Sequence, residues 1–280
     1  MKNYKALIEN ILTNGEERND RTGVGTLSVF SPEPLRFDLT HRFPLLTLKY
    51  TSFKNILAET LWFLSGKCDN TDYLKKHGVT IWDEWAGFAN MPNNLGLIYG
   101  VQWRAWSNQD FIQNKVVSYD QIKELISGLK NNPTSRRHIV TAWNVTELKY
   151  MALPPCHWAF QCYVSNDNRL SLKLFQRSSD TFLGLPYNIA GYALITHILA
   201  NICGLQVGEL IVDIGDAHLY KNHLNQARIM VERPILELPK LVIKKQLTLE
   251  DLNALHPPNK EIFEVVGYVS HPAIKGEVAV

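Results

Sequence analysis

Apolar residues follow helical spacing in three segments of the first half of the chain. In residues 1–15 they recur every three or four positions and end before a glycine, which is typical of an amphipathic helix. Residues 52–65 are almost continuously apolar and precede Gly66, so they predict a buried helix. Residues 119–130 predict a further amphipathic helix that ends at an Asn-Asn-Pro sequence. Residues 26–31 instead alternate apolar and polar side chains, as a half-buried strand does.

The second half of the chain is richer in strand-like patterns. These segments are residues 137–143, 157–164, 170–177 and 209–214. Residues 165–168 (Ser-Asn-Asp-Asn) lie between two of them and predict a hairpin turn. Residues 188–203 form the longest apolar run, which predicts a long helix ending at Gly204. Because helices and strands are mixed without strict β-α-β alternation, we predict an α+β fold in which one domain spans residues 1–280.

The composition is that of an ordinary soluble globular protein. The chain has 280 residues, of which 45% are hydrophobic and 20% charged, and its net charge of +2 gives no general attraction for nucleic acid. No apolar run is long enough to span a membrane, and the polar residues near the N-terminus argue against a secretory signal peptide. Any charged ligand must therefore be inferred from local clusters of charge.

The cysteines narrow the possible chemistry. They are Cys68, Cys156, Cys162 and Cys203. They form neither a dense disulfide framework nor a paired metal-ligand spacing, so we expect a reducing, cytoplasmic environment and no metal site.

Cys156 has the neighbours of a presented nucleophile. Two prolines precede it and His157 follows it. Proline fixes φ and donates no hydrogen bond, so Pro154 and Pro155 should interrupt regular structure and hold the cysteine in a rigid loop. A thiolate at that position could attack an electrophile at neutral pH. The alternative is a small buried cysteine after a turn, which is the commoner case for a single cysteine.

Several arginines occupy turns or predicted strand ends. Arg136 and Arg137 are adjacent and follow a Pro-Thr-Ser turn. Arg21 lies in an Asn-Asp-Arg-Thr-Gly turn, and Arg177-Ser178 lies on the strand expected to return beside the nucleophile. Guanidinium groups match phosphate oxygens in geometry and charge, so together these side chains predict an anion site, whose cations would also favour a neighbouring thiolate. The alternative for each arginine alone is solvated surface charge.

Two polar residues in predicted helices each admit two interpretations. Glu59 lies in the otherwise apolar helix of residues 52–65, where a carboxylate is paired, exposed or functional. If it is buried, desolvation raises its pKa and suits it to transfer protons. Asn188 opens the long helix, so it is either an N-cap or an amide that reads a pyrimidine through its donor and acceptor.

Aromatic residues supply further candidate contacts. His218 and Tyr220 flank Leu219 near a predicted strand end, where they form either a core pair or joint hydrogen-bonding partners of a sugar hydroxyl. Trp82 and Trp85 are either core aromatics or a flat surface on which a planar ligand stacks.

Taken together, the motifs resemble those of thymidylate synthase of the folate-dependent, cysteine-nucleophile kind. The similarity runs in order along essentially the whole chain. The segments that carry it are residues 21–26 (RTGVGT), Glu59 with 61–64 (LWFL), 81–85 (IWDEW), 99–104 (YGVQWR), 135–137 (SRR), 154–157 (PPCH), 176–180 (QRSSD), 183–190 (LGLPYNIA), 216–220 (DAHLY) and 278–280 (VAV). Any one motif is weak, but so many in register are specific.

The resemblance implies a homodimer built on a large mixed sheet packed with helices, with the dimer formed through the sheet. It also implies conversion of dUMP and 5,10-methylenetetrahydrofolate to dTMP and dihydrofolate, without a metal. Cys156 would add to C6 of the uracil, and Glu59, with Tyr99 nearby, would transfer protons. His157 and Asn188 complete the implied catalytic group, and Asn188 would read the pyrimidine edge.

The resemblance also implies which residues bind each substrate. The implied dUMP-binding residues are Arg21, Arg136, Arg137, Gln176, Arg177, Ser178, Asp180, Asn188, His218 and Tyr220. The implied folate-binding residues are Lys49, Trp82, Trp85, Asp180, Leu183, Gly184, Tyr187 and Ala279. Arg136 and Arg137 would come from the partner subunit, so that each active site needs both chains. Neither a membrane nor nucleic acid would be needed for catalysis.

Some positions differ from the pattern usual in this family. Gly191 stands where Ser is common, and Trp158 follows the Cys-His pair where a smaller residue is common. Residues 86–94 replace an acidic, glycine-containing segment, and Gly276-Glu277 replaces Ala-Pro. We expect these departures to lie around the pyrimidine and folate sites.

Two other functions stay open at this point. A pyrimidine hydroxymethylase shares the fold and the first half of the mechanism, and Gly191 could make room for the water that it uses. Trp82 and the apolar C-terminus favour a synthase because they would exclude water, and Asn188 favours uracil over cytosine. A non-catalytic nucleic-acid-binding dimer would use the arginine cluster, but the chain has no basic stripe interleaved with aromatic residues.

Overall fold

In the computed structural model, which describes residues 1–110, 112–254, 259 and 261–279, the chain folds around one large sheet. The α-helices are α1 (Lys2–Asn14), α2 (Phe53–Ser65), α3 (Asp72–Lys76), α4 (Tyr99–Arg104), α5 (Gln121–Asn131), α6 (Gly184–Cys203), α7 (Leu224–Glu232) and α8 (Leu249–Asn253). The strands are β1 (Glu16–Arg18), β2 (Thr26–Phe30), β3 (Leu35–Asp38), β4 (Trp106–Asp110), β5 (Lys115–Tyr119), β6 (Ile139–Thr141), β7 (His157–Val164), β8 (Arg169–Asp180), β9 (Gln206–Tyr220), β10 (Lys240–Ile243) and β11 (Phe263–Val266). Short 3₁₀ turns occupy Asp83–Trp85, Phe88–Asn90, Leu148–Tyr150 and Lys221–His223.

The large sheet is mixed. Among the described residues it has seven strands, with the order β1-β2-β9-β8-β7-β6 and with β3 paired to the first part of β9. β8 and β9 run parallel, whereas its other neighbouring strands run antiparallel. The pairs β4-β5 and β10-β11 form separate two-stranded sheets that the sequence patterns did not predict. The predicted α+β fold with a large mixed sheet is therefore confirmed.

Helix α6 lies at the centre of the core. Most of its residues are buried, and it packs on β8 and β9 as well as on α2 and α5. A helix that is apolar on nearly all sides is stable when protein surrounds it. Helix α1 is amphipathic, as predicted, and packs its buried side on β2, β3 and β9. Among the described residues, no helix combines the length and apolar character that crossing a membrane requires.

The predicted helices are present, but two begin elsewhere. Helix α6 begins at Gly184, four residues earlier than predicted, with Pro186 in its first turn, where the missing N–H would have had no helical partner. Asn188 is therefore inside the helix, and its interpretation as an N-cap is wrong. Helix α5 begins after Asp120, whose side chain caps it, and not at residue 119. Gly66 ends α2 in the left-handed conformation that favours glycine, with φ 75°.

The predicted strands differ most in length. β6 is shorter than the predicted 137–143, because the residues before Ile139 form a loop in which Arg137 O accepts the Ile139 N–H at 2.9 Å. β8 and β9 are longer than predicted, because their parallel pairing continues to Asp180 and His218. The residues that the sequence analysis placed near two separate strand ends therefore lie side by side.

Helices α2 and α4 touch through their backbones at Gly100. A Cβ atom at this glycine would lie 2.0 Å from the carbonyl oxygen of Phe63, closer than real side chains approach. The contact holds the start of α4, where Tyr99 has a φ of 27° that side chains rarely adopt. Such strain persists when the surrounding structure over-determines the conformation.

Replacing Gly100 by Ala should therefore destabilise the protein. We expect the free energy of unfolding to fall by about 1–3 kcal/mol, because the added methyl group must push α2 and α4 apart. Gly191→Ala is the matched control, since its added Cβ would have Thr60 Oγ1 as its nearest neighbour, at 3.6 Å. That variant should be neutral or more stable by up to about 1 kcal/mol, because alanine favours a helix. Urea unfolding measures both, and equal midpoints for Gly100→Ala and the wild type would contradict the tight contact.

Candidate active site

The end of β8 gathers the polar residues that the sequence analysis singled out. On one side, the Arg177 N–H donates to Cys156 O at 2.8 Å, beside the pairing of β7 with β8. On the other side, Ser178 and Asp180 lie opposite Asp216 and His218 of β9. Residues of β8, of β9 and of the loop just before β7 therefore meet at one end of these strands.

Cys156 is partly accessible and has two polar neighbours. Its N–H donates to the hydroxyl of Tyr99 at 3.0 Å, and Nη2 of Arg177 lies 3.8 Å from Sγ. Burial raises the pKa of the Cys156 thiol, and the Arg177 charge partly opposes this. The expectation that cations favour the thiolate therefore holds for Arg177, but burial outweighs it. A cysteine with a raised pKa would have to lose its proton before it could act as a nucleophile.

His157 is a buried, neutral neighbour of the cysteine. Burial lowers its pKa to about 3, and its Nδ1 lies 2.8 Å from the hydroxyl of Tyr192. Its ring stacks on that of Tyr99, with centroids 4.0 Å apart and planes at 19°. His157 therefore holds the Tyr99 ring in place and supplies no positive charge to the thiol. Tyr192, one helical turn after Asn188, is a site residue that the sequence analysis missed.

Glu59 is a carboxyl group poised near neutrality. It is partly buried, and Nε1 of Trp82 donates to its Oε1 at 2.7 Å. Burial raises the pKa of Glu59 to about 7, while the hydrogen bond from Trp82 opposes the shift. A carboxyl with this pKa can accept or release a proton at the pH of a cell. Of the interpretations left open for Glu59, a proton-transferring group agrees best with these surroundings.

Trp82 is packed rather than open to a ligand. Its ring is buried, with its centroid 5.7 Å from that of Trp62 and 5.6 Å from that of Trp85. Trp85 is half-buried beside it. The two tryptophans therefore belong to the aromatic core, and Trp82 touches the site through its hydrogen bond to Glu59.

Asn188 faces β8 from helix α6. Its Oδ1 accepts a hydrogen bond from Nε2 of Gln176 at 2.9 Å. Nε2 of Gln176 also donates to Ser178 O at 3.2 Å. The other amide atom of Gln176, Oε1, is buried and has no partner among the described residues. This leaves the amide donors of Asn188 and the acceptor of Gln176 to a ligand.

The guanidinium of Arg177 is held from several directions. Its Nε donates to Pro155 O at 3.0 Å, and its Nη2 donates to Pro154 O at 2.9 Å as well as facing the Cys156 thiol. Arginine has five N–H donors, so these contacts leave the two on Nη1 without a partner among the described residues. The guanidinium that contacts the Cys156 thiol can thus also bind an anion.

Of the other three arginines expected to bind phosphate, one lies near the surroundings of Cys156 and two lie far from it. Arg21 is exposed, and its charge lies within electrostatic range of Tyr220, as does the Cys156 thiol. Arg136 and Arg137 are exposed in the loop before β6, beside Gln161, whose Nε2 donates to Arg136 O. Gln161 lies five residues along the chain from Cys156, a distance of about 17 Å in an extended strand. The fold thus does not bring these two arginines to the Cys156 of their own chain.

His218 and Tyr220 lie together at the end of β9, as predicted. Nδ1 of His218 is 2.9 Å from Oδ1 of Asp216, a contact that the sequence analysis did not predict and that fixes the orientation of the imidazole. The two rings meet edge to face, 5.2 Å apart. Burial, helped by Asp180, raises the pKa of Tyr220 to about 12, so its hydroxyl stays a hydrogen-bond donor.

The residues expected to bind folate lie mainly around the start of α6. Leu183 and Gly184 begin this helix, and Tyr187 follows within its first turns, all three half-buried. Lys49 is buried with Nζ 4.7 Å from the ring centroid of Phe182. Burial lowers the pKa of Lys49 to about 8, and Asp180 opposes that shift. Lys49 and the start of α6 are thus linked through Phe182 and Asp180.

The C-terminal segment lies against the same region. Glu277 O lies 2.8 Å from Nε2 of His223, whose ring packs on Phe182 with centroids 5.1 Å apart. Ala279 is half-buried, whereas Val280 lies outside the described residues. Oδ1 of Asp180 accepts two backbone N–H bonds from residues 182 and 183, which orients its carboxylate. Among the described residues, no group of three or more His, Cys, Asp or Glu side chains could hold a metal ion.

A comparison with protein families found a match over almost the whole chain. The family model described as thymidylate synthase matches residues 2–280. The chain belongs to the thymidylate synthase family. Membership supports a methyltransferase of nucleotide biosynthesis with thymidylate-synthase-like function.

One departure from the usual thymidylate synthase pattern lies away from the site. Trp158 is partly exposed, on the outer side of the sheet, where its ring lies 5.8 Å from that of Phe175. Gly276, in contrast, lies beside the site region, because a Cβ there would be 2.9 Å from Nε2 of His223. The expectation that all departures surround the substrates is therefore wrong for Trp158.

Replacing Glu59 by Gln tests the raised pKa. The folded protein keeps this carboxyl protonated up to about pH 7, whereas the unfolded chain releases the proton near pH 4.5. The folded state therefore binds more protons between these values, and its stability from this group is lost as the pH rises. The free energy of unfolding of Glu59→Gln, minus that of the wild type, should increase by about 2–3 kcal/mol from pH 4 to pH 8.

Urea unfolding at each pH measures this difference. His157 titrates in both proteins, so its contribution cancels. Glu84→Gln is the control for replacing an exposed carboxylate. A difference between Glu59→Gln and the wild type that changes with pH no more than that of Glu84→Gln would refute the raised pKa.

Proposed function

We propose that this protein is a thymidylate synthase that converts dUMP and 5,10-methylenetetrahydrofolate to dTMP and dihydrofolate. The observation that carries the proposal is the position of Arg177. Its guanidinium faces the Cys156 thiol at 3.8 Å, and two of its donors have no partner among the described residues. A nucleophile and an anion site joined through one side chain suit a phosphorylated substrate that is attacked covalently.

The nucleotide would lie along the end of β8. Arg177, Ser178 and Arg21 would bind its phosphate, and the free amide groups of Asn188 and Gln176 would pair with the uracil edge. A hydroxyl of the sugar would bind His218 and Tyr220, whose mutual contact fixes both rings. Asp216 supports this by orienting His218 through Nδ1, which leaves Nε2 for the sugar.

The chemistry would begin with Cys156. Its sulfur would form a bond to C6 of the uracil, and Arg177 would stabilise the thiolate that reacts. This addition gives C5 the electron density to form a bond to the one-carbon unit, whose bond to a folate nitrogen would break as C5 loses its proton. Once the new carbon receives a hydride, C6 would release the sulfur as a thiolate. Glu59, with a pKa of about 7, would exchange the protons that these steps require, and the hydroxyl of Tyr99, next to the Cys156 N–H, would assist at C5.

The residues around α6 fit a folate. When bound there, methylenetetrahydrofolate supplies both the one-carbon unit and a hydride. Asp180 has its Oδ1 engaged by the backbone, so Oδ2 can accept a hydrogen bond from a pterin N–H. Among the described residues, Lys49 has no carboxylate within ion-pair distance. Its ammonium group can therefore form an ion pair with a carboxylate of the folate. Leu183, Tyr187 and Ala279 would cover the rings, with Trp85 and Gly184 at the margin.

We further propose that the protein is a homodimer formed through the outer side of the sheet. Ile139, Trp158 and Tyr163 are exposed there by 52%, 38% and 64%, although each is apolar or aromatic. Clustered exposed apolar groups favour a protein partner. A second copy would also bring Arg136 and Arg137 of the partner subunit to a phosphate that these residues cannot reach in their own chain.

The second candidate is a pyrimidine hydroxymethylase, and one observation favours it. Gly191 is buried in α6 one turn after Asn188, yet a Cβ there would meet a single atom within 4 Å, the hydroxyl oxygen of Thr60. A methyl-sized group would therefore fit at this position without a clash, and a water molecule of similar size there could hydrate a methylene intermediate. The buried Trp82 and the C-terminal segment beside Phe182 favour the synthase instead, because they exclude water.

The product decides between these functions. Purified protein should convert dUMP to a nucleotide heavier by one methylene group, with one dihydrofolate formed for each nucleotide, as followed by mass spectrometry and absorbance. Cys156→Ser should reduce turnover by about a thousandfold or more while leaving dUMP binding nearly unchanged, because only the covalent step needs the sulfur.

Other products would point elsewhere. A nucleotide that also carries an extra oxygen, without dihydrofolate, would overturn the synthase and favour the hydroxymethylase. No product from either dUMP or dCMP would favour the non-catalytic dimer. Near-normal turnover by Cys156→Ser would refute the nucleophile.

Mixed dimers test the shared site. Arg136→Ala and Cys156→Ser chains should each have low activity alone. After unfolding and refolding together in equal amounts, about a quarter of all sites should be intact, because half of the dimers are mixed and each has one complete site. Activity that never exceeds the average of the two separate variants would contradict the donation of Arg136 across the interface.

A further inference from the structure

The Arg177 guanidinium is constrained within its own plane. Its hydrogen bonds to Pro154 O and Pro155 O and its contact with the Cys156 thiol all use N–H groups, which point outward in the plane. Such contacts resist rotation of the group within that plane. They resist tilting of the plane much less, although a tilt would move both the thiol-facing and the free donors. Because the Arg177 side chain is exposed, it is not held by close packing on all sides. A restraint on the tilt of the guanidinium must therefore come from a particular neighbouring residue.

Trp143 lies where its ring can restrain the tilt of the Arg177 guanidinium. The guanidinium carbon of Arg177 lies over the Trp143 ring, 5.6 Å from its centroid. An aromatic face attracts a cation and offers a flat surface against which a planar guanidinium rests. Among the described residues, the Trp143 ring has no aromatic partner, in contrast to the packed rings of Trp62 and Trp103.

The backbone on both sides of Trp143 is fixed. Its N–H donates to Oγ1 of Thr141 at 3.2 Å, and the preceding N–H, of Ala142, donates to Trp158 O at 2.8 Å. The following residue, Asn144, is buried and donates to Oε1 of Gln102 at 3.2 Å. A half-buried indole is therefore held rigidly beside an exposed arginine.

We propose that Trp143 is a positioning residue whose ring fixes the tilt of the Arg177 guanidinium, so that one edge faces the Cys156 thiol and the free edge faces an anion. The identity of that anion as the phosphate of a nucleotide rests on the proposed function. The positioning itself does not, since it concerns contacts within the chain.

The test follows the reactivity of Cys156 without turnover. The rate constant for alkylation by iodoacetamide is measured from pH 6 to pH 10, with and without inorganic phosphate as the anion probe. The same measurement on Cys156→Ser gives the background from the other cysteines. Those are buried or half-buried, and burial raises the pKa of Cys203 to about 11.

Trp143→Leu removes the aromatic face. At pH 7 we expect alkylation to be about two- to fivefold slower, as the usual strength of an exposed cation–π contact implies. The phosphate concentration that gives half of the maximal change in the alkylation rate should rise by a similar factor. The pH profile should shift upward by about half a unit for the same reason. Trp143→Phe should stay near the wild type, and Trp106→Leu, on the separate β4–β5 pair, is the control for the loss of a tryptophan.

Tetrafluorotryptophan at position 143 keeps the protein testable if Trp143→Leu does not fold. It preserves the shape of the ring but weakens its attraction for cations, so alkylation should slow as in Trp143→Leu. An unchanged pH profile and phosphate response in either protein would overturn the positioning role. An equal decrease in the alkylation rate of Trp143→Phe and Trp143→Leu would also overturn the positioning role. It would mean that the packing volume at this position matters and the aromatic face does not.

The two proposals can fail separately. A shifted alkylation profile in a protein that forms no methylated nucleotide would leave the role of Trp143 intact and refute the proposed function. Normal synthase activity with unshifted alkylation profiles in the Trp143 variants would support the proposed function and refute the positioning role of Trp143.

Discussion

The candidate site depends on the pairing of β8 with β7 on one side and β9 on the other. Antiparallel pairing with β7 brings Arg177 beside Cys156, and parallel pairing with β9 aligns Asp180 with His218. Side chains alternate along a strand, so the register also decides which residue faces inward. Gln176 is buried against α6 while Arg177 is exposed, and a slip of one residue would exchange them.

Desolvation at this strand end acts in opposite directions on acids and bases. It raises the pKa of Glu59 to about 7 and lowers that of His157 to about 3. A carboxyl group thereby gains the ability to exchange protons near neutrality, whereas an imidazole loses its charge and becomes a support for the Tyr99 ring. The thiol of Cys156 is also less acidic than usual, and Arg177 is the cation that opposes this. Burial and one positioned charge thus set the reactivity of the site together.

Much of the site could be recognised from sequence because its chemistry resides in short motifs. The rigid loop before Cys156 depends on two adjacent prolines, and the end of α2 depends on Gly66, so neighbouring residues suffice to predict both. Prediction failed where distant contacts decide. Asn188 looked like a helix start, but α6 begins four residues earlier, directly after a turn in which the N–H groups of residues 182 and 183 donate to Asp180. Trp158 looked like a substrate neighbour, but its strand turns it to the outer side of the sheet.

The sequence by itself determined the apolar periodicity, the fold class and the identity of the reactive groups, because these depend on local patterns and residue type. Tertiary structure decided which groups meet and in which protonation state. Strand pairing joins residues far apart in the chain, and desolvation depends on every atom around a group. The same reason places Arg136 and Arg137 far from the Cys156 of their own chain, since the direction of β7 separates them. The contact of Arg177 with Trp143 likewise joins β8 to the loop after β6, and neither segment alone provides it.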